Sequence, residues 1–158
     1  DLAKMSEDAL SRFRRSHMGI VFQAFHLIPT MTALENVATP LELAGQRDAF
    51  ARAEVELFNV GLEHRIYNYP AQLSGGEQQR VALARAVVLK PNIILADEPT
   101  GNLDSQNGTA IINVLFQLRE KYGSTLVLVT HDVALANRCD RVISLSDGFI
   151  ISEKKGYH

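Results

Sequence analysis

The residues best suited to chemistry lie between Leu73 and Asp104, in the stretch LSGGEQQRVALARAVVLKPNIILADEPTGNLD. Asp97 and Glu98 follow a short apolar run, Ile93 to Ala96, whose length and composition suit a strand buried on both faces. Adjacent carboxylates there are costly unless they face a crevice at the strand's carboxyl end, where parallel α/β sheets bind ligands. In such a crevice they could serve a magnesium ion and a water; otherwise they cap the loop that follows. Upstream, Ser74 and Glu77 have the spacing of a capping box, in which each side chain satisfies the other's backbone N–H. Gly75 and Gly76 in the first turn have no Cβ, so an anion could reach the free N–H groups and the positive end of the helix dipole. Ser74, Gly75 and Gly76 are therefore a phosphate-binding candidate. The same pattern also fits an ordinary capped helix whose glycines allow close packing.

The elements that must position these residues read as alternating helices and strands. Val81, Leu83, Ala84, Val87, Val88 and Leu89 form a broad apolar helical face that Pro91 ends. Met18 to Phe22 and Thr125 to Val129 are short buried strands, which deliver Gln23 and His131 to the loops that follow. If the strands before Glu98 and His131 are parallel neighbours, those two side chains share one edge. A lone Gln or His is otherwise more often structural. Ser6 starts a first helix, and its Arg12, Arg14 and Arg15 are most simply a solvated face. Thr32 and Glu35 form a second capping box ahead of a helix containing Pro40. Asp48 to Val60 reads as a helix with Phe50, Ala53, Leu57 and Phe58 on its apolar side. Asp104 can cap a helix read over Ala110 to Tyr122, and Asp132 a short one to Asn137. Asp147-Gly148 suits a tight hairpin turn, and the tail from Glu153 to His158 is expected to fray.

LSGGEQQR at 73–80, the strand ending in Asp97 and Glu98, and Gly101-Asn102-Leu103-Asp104 resemble the signature, Walker B and D-loop of an ATP-binding cassette (ABC) ATPase. Gln23 resembles the family's Q-loop residue and His131 its switch histidine. The resemblance implies a P-loop NTPase fold of the ABC type, a parallel-sheet core with an inserted helical subdomain. Residues 1–33 and 90–158 would form the core and 34–89 the helical subdomain. It implies ATP and Mg2+ as cofactors, with Glu98 and His131 catalytic and Asp97 and Gln23 at the metal. Ser74, Gly75, Gly76 and Gln78 would bind the ATP of a second ATPase subunit, and Asp104 would sit in the D-loop. It further implies transmembrane permease subunits as partners and a place on the inner face of the cell membrane. Phe25, Leu27 and Ile28 would suit a contact with the permease or belong to the core. FHLIPTMTALENV, ADEPTGNLD and THDVALANRCDRVISL resemble the lipoprotein-releasing and macrolide-export branch.

At 158 residues, 46% hydrophobic and 22% charged, the chain is long enough for one α/β domain and too short for two. A formal charge of −2 gives no reason to expect nucleic acid. The interval between Gln23 and Ser74 leaves no room for the long coiled coils of DNA-repair relatives. No apolar run approaches a membrane span, and the start carries no apolar signal segment, so a cytoplasmic chain is expected. Cys139, the single cysteine, reads as a packing residue.

No G-x-x-x-x-G-K-S/T string occurs in the chain. In the family that P-loop precedes the Q-loop, so the resemblance covers an N-terminally truncated ATPase. The expectation is negligible turnover by these residues alone, with unpaired sheet edges and an exposed apolar face. The alternative is a catalytically silent partner or fragment that lends its signature helix to a complete subunit.

Overall fold

The computed structural model describes residues 1–155. A helix α1 (Glu7–His17) leads straight into β1 (Met18–Val21). Then follow α2 (Ala33–Leu43), α3 (Ala49–Asn59), α4 (Gly75–Val87), β2 (Ile93–Asp97), α5 (Ser105–Tyr122), β3 (Thr125–Val129), α6 (Val133–Ala136), β4 (Arg141–Ser146) and β5 (Phe149–Lys155). None of the described helices is long and apolar enough to cross a membrane.

The first three strands form a parallel sheet in the order β1-β2-β3, with Gly19, Ile94 and Leu126 in one row and Val21, Ala96 and Leu128 in another. The strand carrying the two acids is therefore central. Helix α4 packs against β1, α2, α3 and α5, and its Val81, Leu83, Ala84 and Val87 are fully buried. Its approach to the sheet depends on Gly19, because a Cβ there would lie 2.2 Å from the Ala86 carbonyl oxygen. One buried cluster joins α2, α3, α4, β2 and α5 around it.

Three expectations are corrected. The strand read as buried on both faces is buried on one: Ile94 and Ala96 are covered, whereas Ile93 and Leu95 are half-buried. Helices cover the face that carries both of these rows, but among the described residues nothing covers Val127 and Val129 on the opposite face, which remain 47% and 56% exposed. In α3 the buried stripe is Ala49, Ala53, Glu56 and Leu57, at the i, i+4, i+7, i+8 spacing of one helix face. Phe50 and Phe58 each lie one residue off that stripe, so they stand 46% and 67% exposed. Finally, β5 runs to Lys155, so the first half of the tail expected to fray is strand, and 156–158 lie outside the described residues.

Capping decides several boundaries as read. Ser6, Thr32, Ser74, Asp104 and Asp132 each accept a backbone N–H at the start of a helix. The Asp104 cap places the start of α5 at Ser105, earlier than the apolar pattern indicated. Asp147 and Gly148 turn β4 into β5 with φ of 50° and 81°, the doubly left-handed geometry that favours Asp-Gly.

Candidate functional site

The parallel register sets Asp97 beside Val129, two residues before His131. Asp97 is exposed at the end of β2, and among the described residues its carboxylate makes no hydrogen bond or ion pair. Glu98 turns sharply, with φ of 43°, while its N–H donates to the Val129 carbonyl at 3.0 Å. A left-handed non-glycine residue costs of order 1 kcal/mol and persists where its surroundings hold it. Here the hold comes from β3: Glu98 Oε1 accepts from the His131 N–H at 2.9 Å and lies 2.6 Å from His131 Nδ1. The expected meeting of Glu98 and His131 is thus found. Nδ1 donates in this pair, which leaves Nε2 to face outward as the ring's other polar atom.

Gln23 leaves the end of β1 and meets the segment that follows Glu98. Its Nε2 donates to Asn102 Oδ1 at 3.3 Å, and Asn102 Nδ2 donates back to the Gln23 carbonyl at 3.0 Å. Gly101 permits this crossing, since a Cβ there would fall 2.6 Å from Gln23 Nε2. Asp104 accepts from the N–H groups of Gln106 and Asn107 at 3.1 and 3.0 Å and from the Asn107 side chain. The Asn107 backbone bond, more than any other contact, holds its carboxyl below the ordinary range.

The start of α4 is a complete capping box. Glu77 N–H donates to Ser74 Oγ at 3.3 Å, and Glu77 Oε2 accepts from Ser74 N–H and from Ser74 Oγ, each at 2.8 Å. The Ser74 backbone bond, then its hydroxyl, keep the Glu77 carboxyl below the usual carboxylate range. Among the described residues no acceptor meets the N–H of Gly75 or Gly76, which leaves two donors open to an anion. The glycines also allow close packing: the Cβ position of Gly75 lies 3.4 Å from Leu103 Cδ2 and 3.7 Å from Phe25 Cζ, and that of Gly76 lies 3.2 Å from Asn107 Oδ1. Gln78 folds back, its Nε2 donating to the Leu73 carbonyl at 3.0 Å. The helix start, the Asp104 turn and the Gln23 loop therefore adjoin one another.

Three residues that sequence reasoning passed over tie these parts together. Gln79 is fully buried and donates to the carbonyls of Phe22 at 3.3 Å and Pro99 at 2.7 Å, so α4 holds the outgoing ends of β1 and β2 at once. Its Oε1 has no partner among the described residues. Arg85 donates to the carbonyls of His26 at 2.7 Å and Phe25 at 2.8 Å, and burial lowers the pKa of its guanidinium. Asn36, also fully buried, accepts from the Ile28 N–H at 2.8 Å and donates to the carbonyls of Ile28, Met31 and Thr32. A signal existed for two of them: Gln79 lies four residues before buried Leu83, and Arg85 between Val81 and Val88 at i+4 and i+7 spacing, so both face inward. Of the apolar loop residues, Leu27 packs against the core, Phe25 is half-buried, and Ile28 is 37% exposed.

No group of three or more His, Cys, Asp or Glu side chains among the described residues is placed to hold a metal by itself. The open oxygens of Asp97 and Gln23 suit a different kind of site. A small hard cation that retains its waters and shares phosphate oxygens needs only one or two protein oxygens.

The family model described as ABC transporter matches residues 2–101. The uncharacterized ABC transporter ATP-binding protein YbbA of Escherichia coli is 51% identical over 154 residues, which are 96% of this chain and 68% of that protein. The lipoprotein-releasing system ATP-binding protein LolD 2 of Caulobacter vibrioides is 49% identical over 152 residues, 95% of this chain and 67% of its own length. Among solved structures, the dimeric post-hydrolysis state of the ATP-binding cassette MJ0796 bound to ADP and Pi superposes with a TM-score of 0.85 at 44% identity, covering 98% of this chain and 69% of that one.

Proposed function

The chain belongs to the ABC transporter family, and on that premise we propose that it supplies ATP hydrolysis to a membrane permease of the lipoprotein-releasing or macrolide-export type. The observation that carries the reading is the Glu98–His131 pair at the carboxyl edge of the parallel sheet, with Asp97 open beside it. Glu98 would polarise the attacking water, and His131 would reach the terminal phosphate once it lets go of Glu98. Asp97 and Gln23 would hold magnesium, which when bound neutralises developing charge on the phosphate oxygens. Ser74, Gly75, Gly76 and Gln78 would close on ATP held by a second subunit, with Asp104 near that contact. The helical part, 34–89, would move as a unit against the α/β core, and the permease would keep the protein at the inner face of the membrane.

Catalysis of phosphoryl transfer rests on positioning and charge neutralisation. The 158 residues contain no P-loop string to hold the β- and γ-phosphates, so by themselves they are proposed to be inactive. The test joins them to a P-loop segment from a family member and measures magnesium-ATP hydrolysis. Glu98→Gln is expected to lower kcat by about 100-fold or more while KM stays within about threefold. A loss of less than about tenfold would remove Glu98 from the chemistry. Turnover by the 158 residues alone that vanishes in Glu98→Gln would overturn the proposed inactivity.

A further inference from the structure

The loop that carries Gln23 has no regular structure between β1 and α2, yet it contains two successive left-handed residues that are not glycine. Phe25 has φ of 38° and His26 has φ of 47°. A pair of this kind needs an outside hold. Arg85 supplies it from α4, its Nη1 on the His26 carbonyl at 2.7 Å and its Nη2 on the Phe25 carbonyl at 2.8 Å. Among the described residues no carboxylate pairs with this guanidinium, so a largely buried cation is satisfied by loop carbonyls alone. Burying such a charge is costly unless its bonds serve the fold, and the planar fork is what lets one side chain take two carbonyls. Gln23 stands two residues before the gripped segment, with Asn102 as its only side-chain partner among the described residues.

We propose that Arg85 is a positioning residue for the ATPase site: by gripping Phe25 and His26 it sets the path of the chain out of β1, and with it the place of the Gln23 carboxamide. The inference rests on the reading of Gln23 as a magnesium residue. It also makes α4 a two-ended device, with the phosphate-facing glycines at its start and the grip on the Gln23 loop near its end.

Amide exchange in the 158-residue chain tests the grip. Arg85→Met should speed exchange at the hydrogen-bonded His26 and Ile28 amides of the loop about tenfold or more relative to amides in α2 and α5, since loss of the grip lets the loop open locally. Arg85→Lys, which keeps the charge but not the fork, should recover part of that protection and serves if Arg85→Met does not fold. Unchanged exchange at His26 and Ile28, or a rise equal to that of the helices, would overturn the proposal. Positioning is read in the P-loop fusion, where Arg85→Lys and Gln23→Ala should both raise the magnesium concentration for half-maximal turnover, by about fivefold. Loosened exchange with a shift for Gln23→Ala but none for Arg85→Lys would overturn the positioning role. No shift for either variant would instead remove the magnesium role of Gln23.

Discussion

The start of α4 and the loop after β1 lie side by side, Phe25 Cζ only 3.7 Å from the Cβ position of Gly75, but they are built in opposite ways. The helix start is made chiefly by residues three apart: Ser74 and Glu77 satisfy each other within one turn, and Arg65 Nε adds a longer-range bond to Glu77 Oε1 at 3.2 Å. The loop is made by residues far along the chain. Its first half hangs on Arg85, its second half on Asn36, and its entry from β1 on Gln79. A locally closed motif keeps its shape wherever the helix goes, whereas a loop held by side chains from two helices takes its shape from their packing. The α4 start therefore keeps its shape mainly through local bonds, and the Gln23 loop follows the helices.

That contrast is most exposed to Asn36. Asn36→Ala strips the loop of four bonds within a fully buried pocket, and leaving buried N–H and C=O groups unsatisfied should cost about 2–3 kcal/mol. Urea unfolding measures it, and a loss below about 0.5 kcal/mol would mean that the loop holds itself. Ser74→Ala should cost less, about 1 kcal/mol, the usual worth of an N-cap. If its cost matched that of Asn36→Ala, the helix start would depend on distant structure after all.

The smallest effect is on acid stability. Hydrogen bonds from Ser74 hold the folded Glu77 carboxyl below its ordinary value of 4.5, so this group contributes stability above that value and loses it as pH falls through the lowered folded pKa. Glu35 is lowered in the same way by Thr32, and Asp104 by Asn107. Thermal melts from neutral pH down through the carboxylate range should show the parent losing more than Glu77→Gln. Parallel curves for the two would detach the capping box from the acid response.

The two faces of the parallel sheet repeat the lesson at larger scale. The face carrying Gly19, Ile94 and Leu126 meets the helices, and the opposite face carries the exposed Val127 and Val129. Apolar composition alone indicated burial on both sides. Strand periodicity cannot tell which face finds a cover, because that depends on helices elsewhere in the chain. The same limit explains Phe50 and Phe58: both are apolar and suitably spaced, but the contact with α2 and α4 covers only the stripe through Ala53 and Leu57.

By itself the sequence determined the helix starts at Ser6, Thr32, Ser74, Asp104 and Asp132, the acids at the end of β2, the Asp147-Gly148 turn, and the family. Each of those signals is carried by residues within a turn or two of one another, where the backbone fixes which groups can meet. Only the tertiary structure decided that Gln23 bonds Asn102, that Gln79 spans two strand ends, and that Arg85 grips the loop. These contacts join residues 20 to 79 positions apart. They come about only when helix faces pack on the sheet, and no local spacing encodes which of the many possible distant partners will be brought within hydrogen-bond reach.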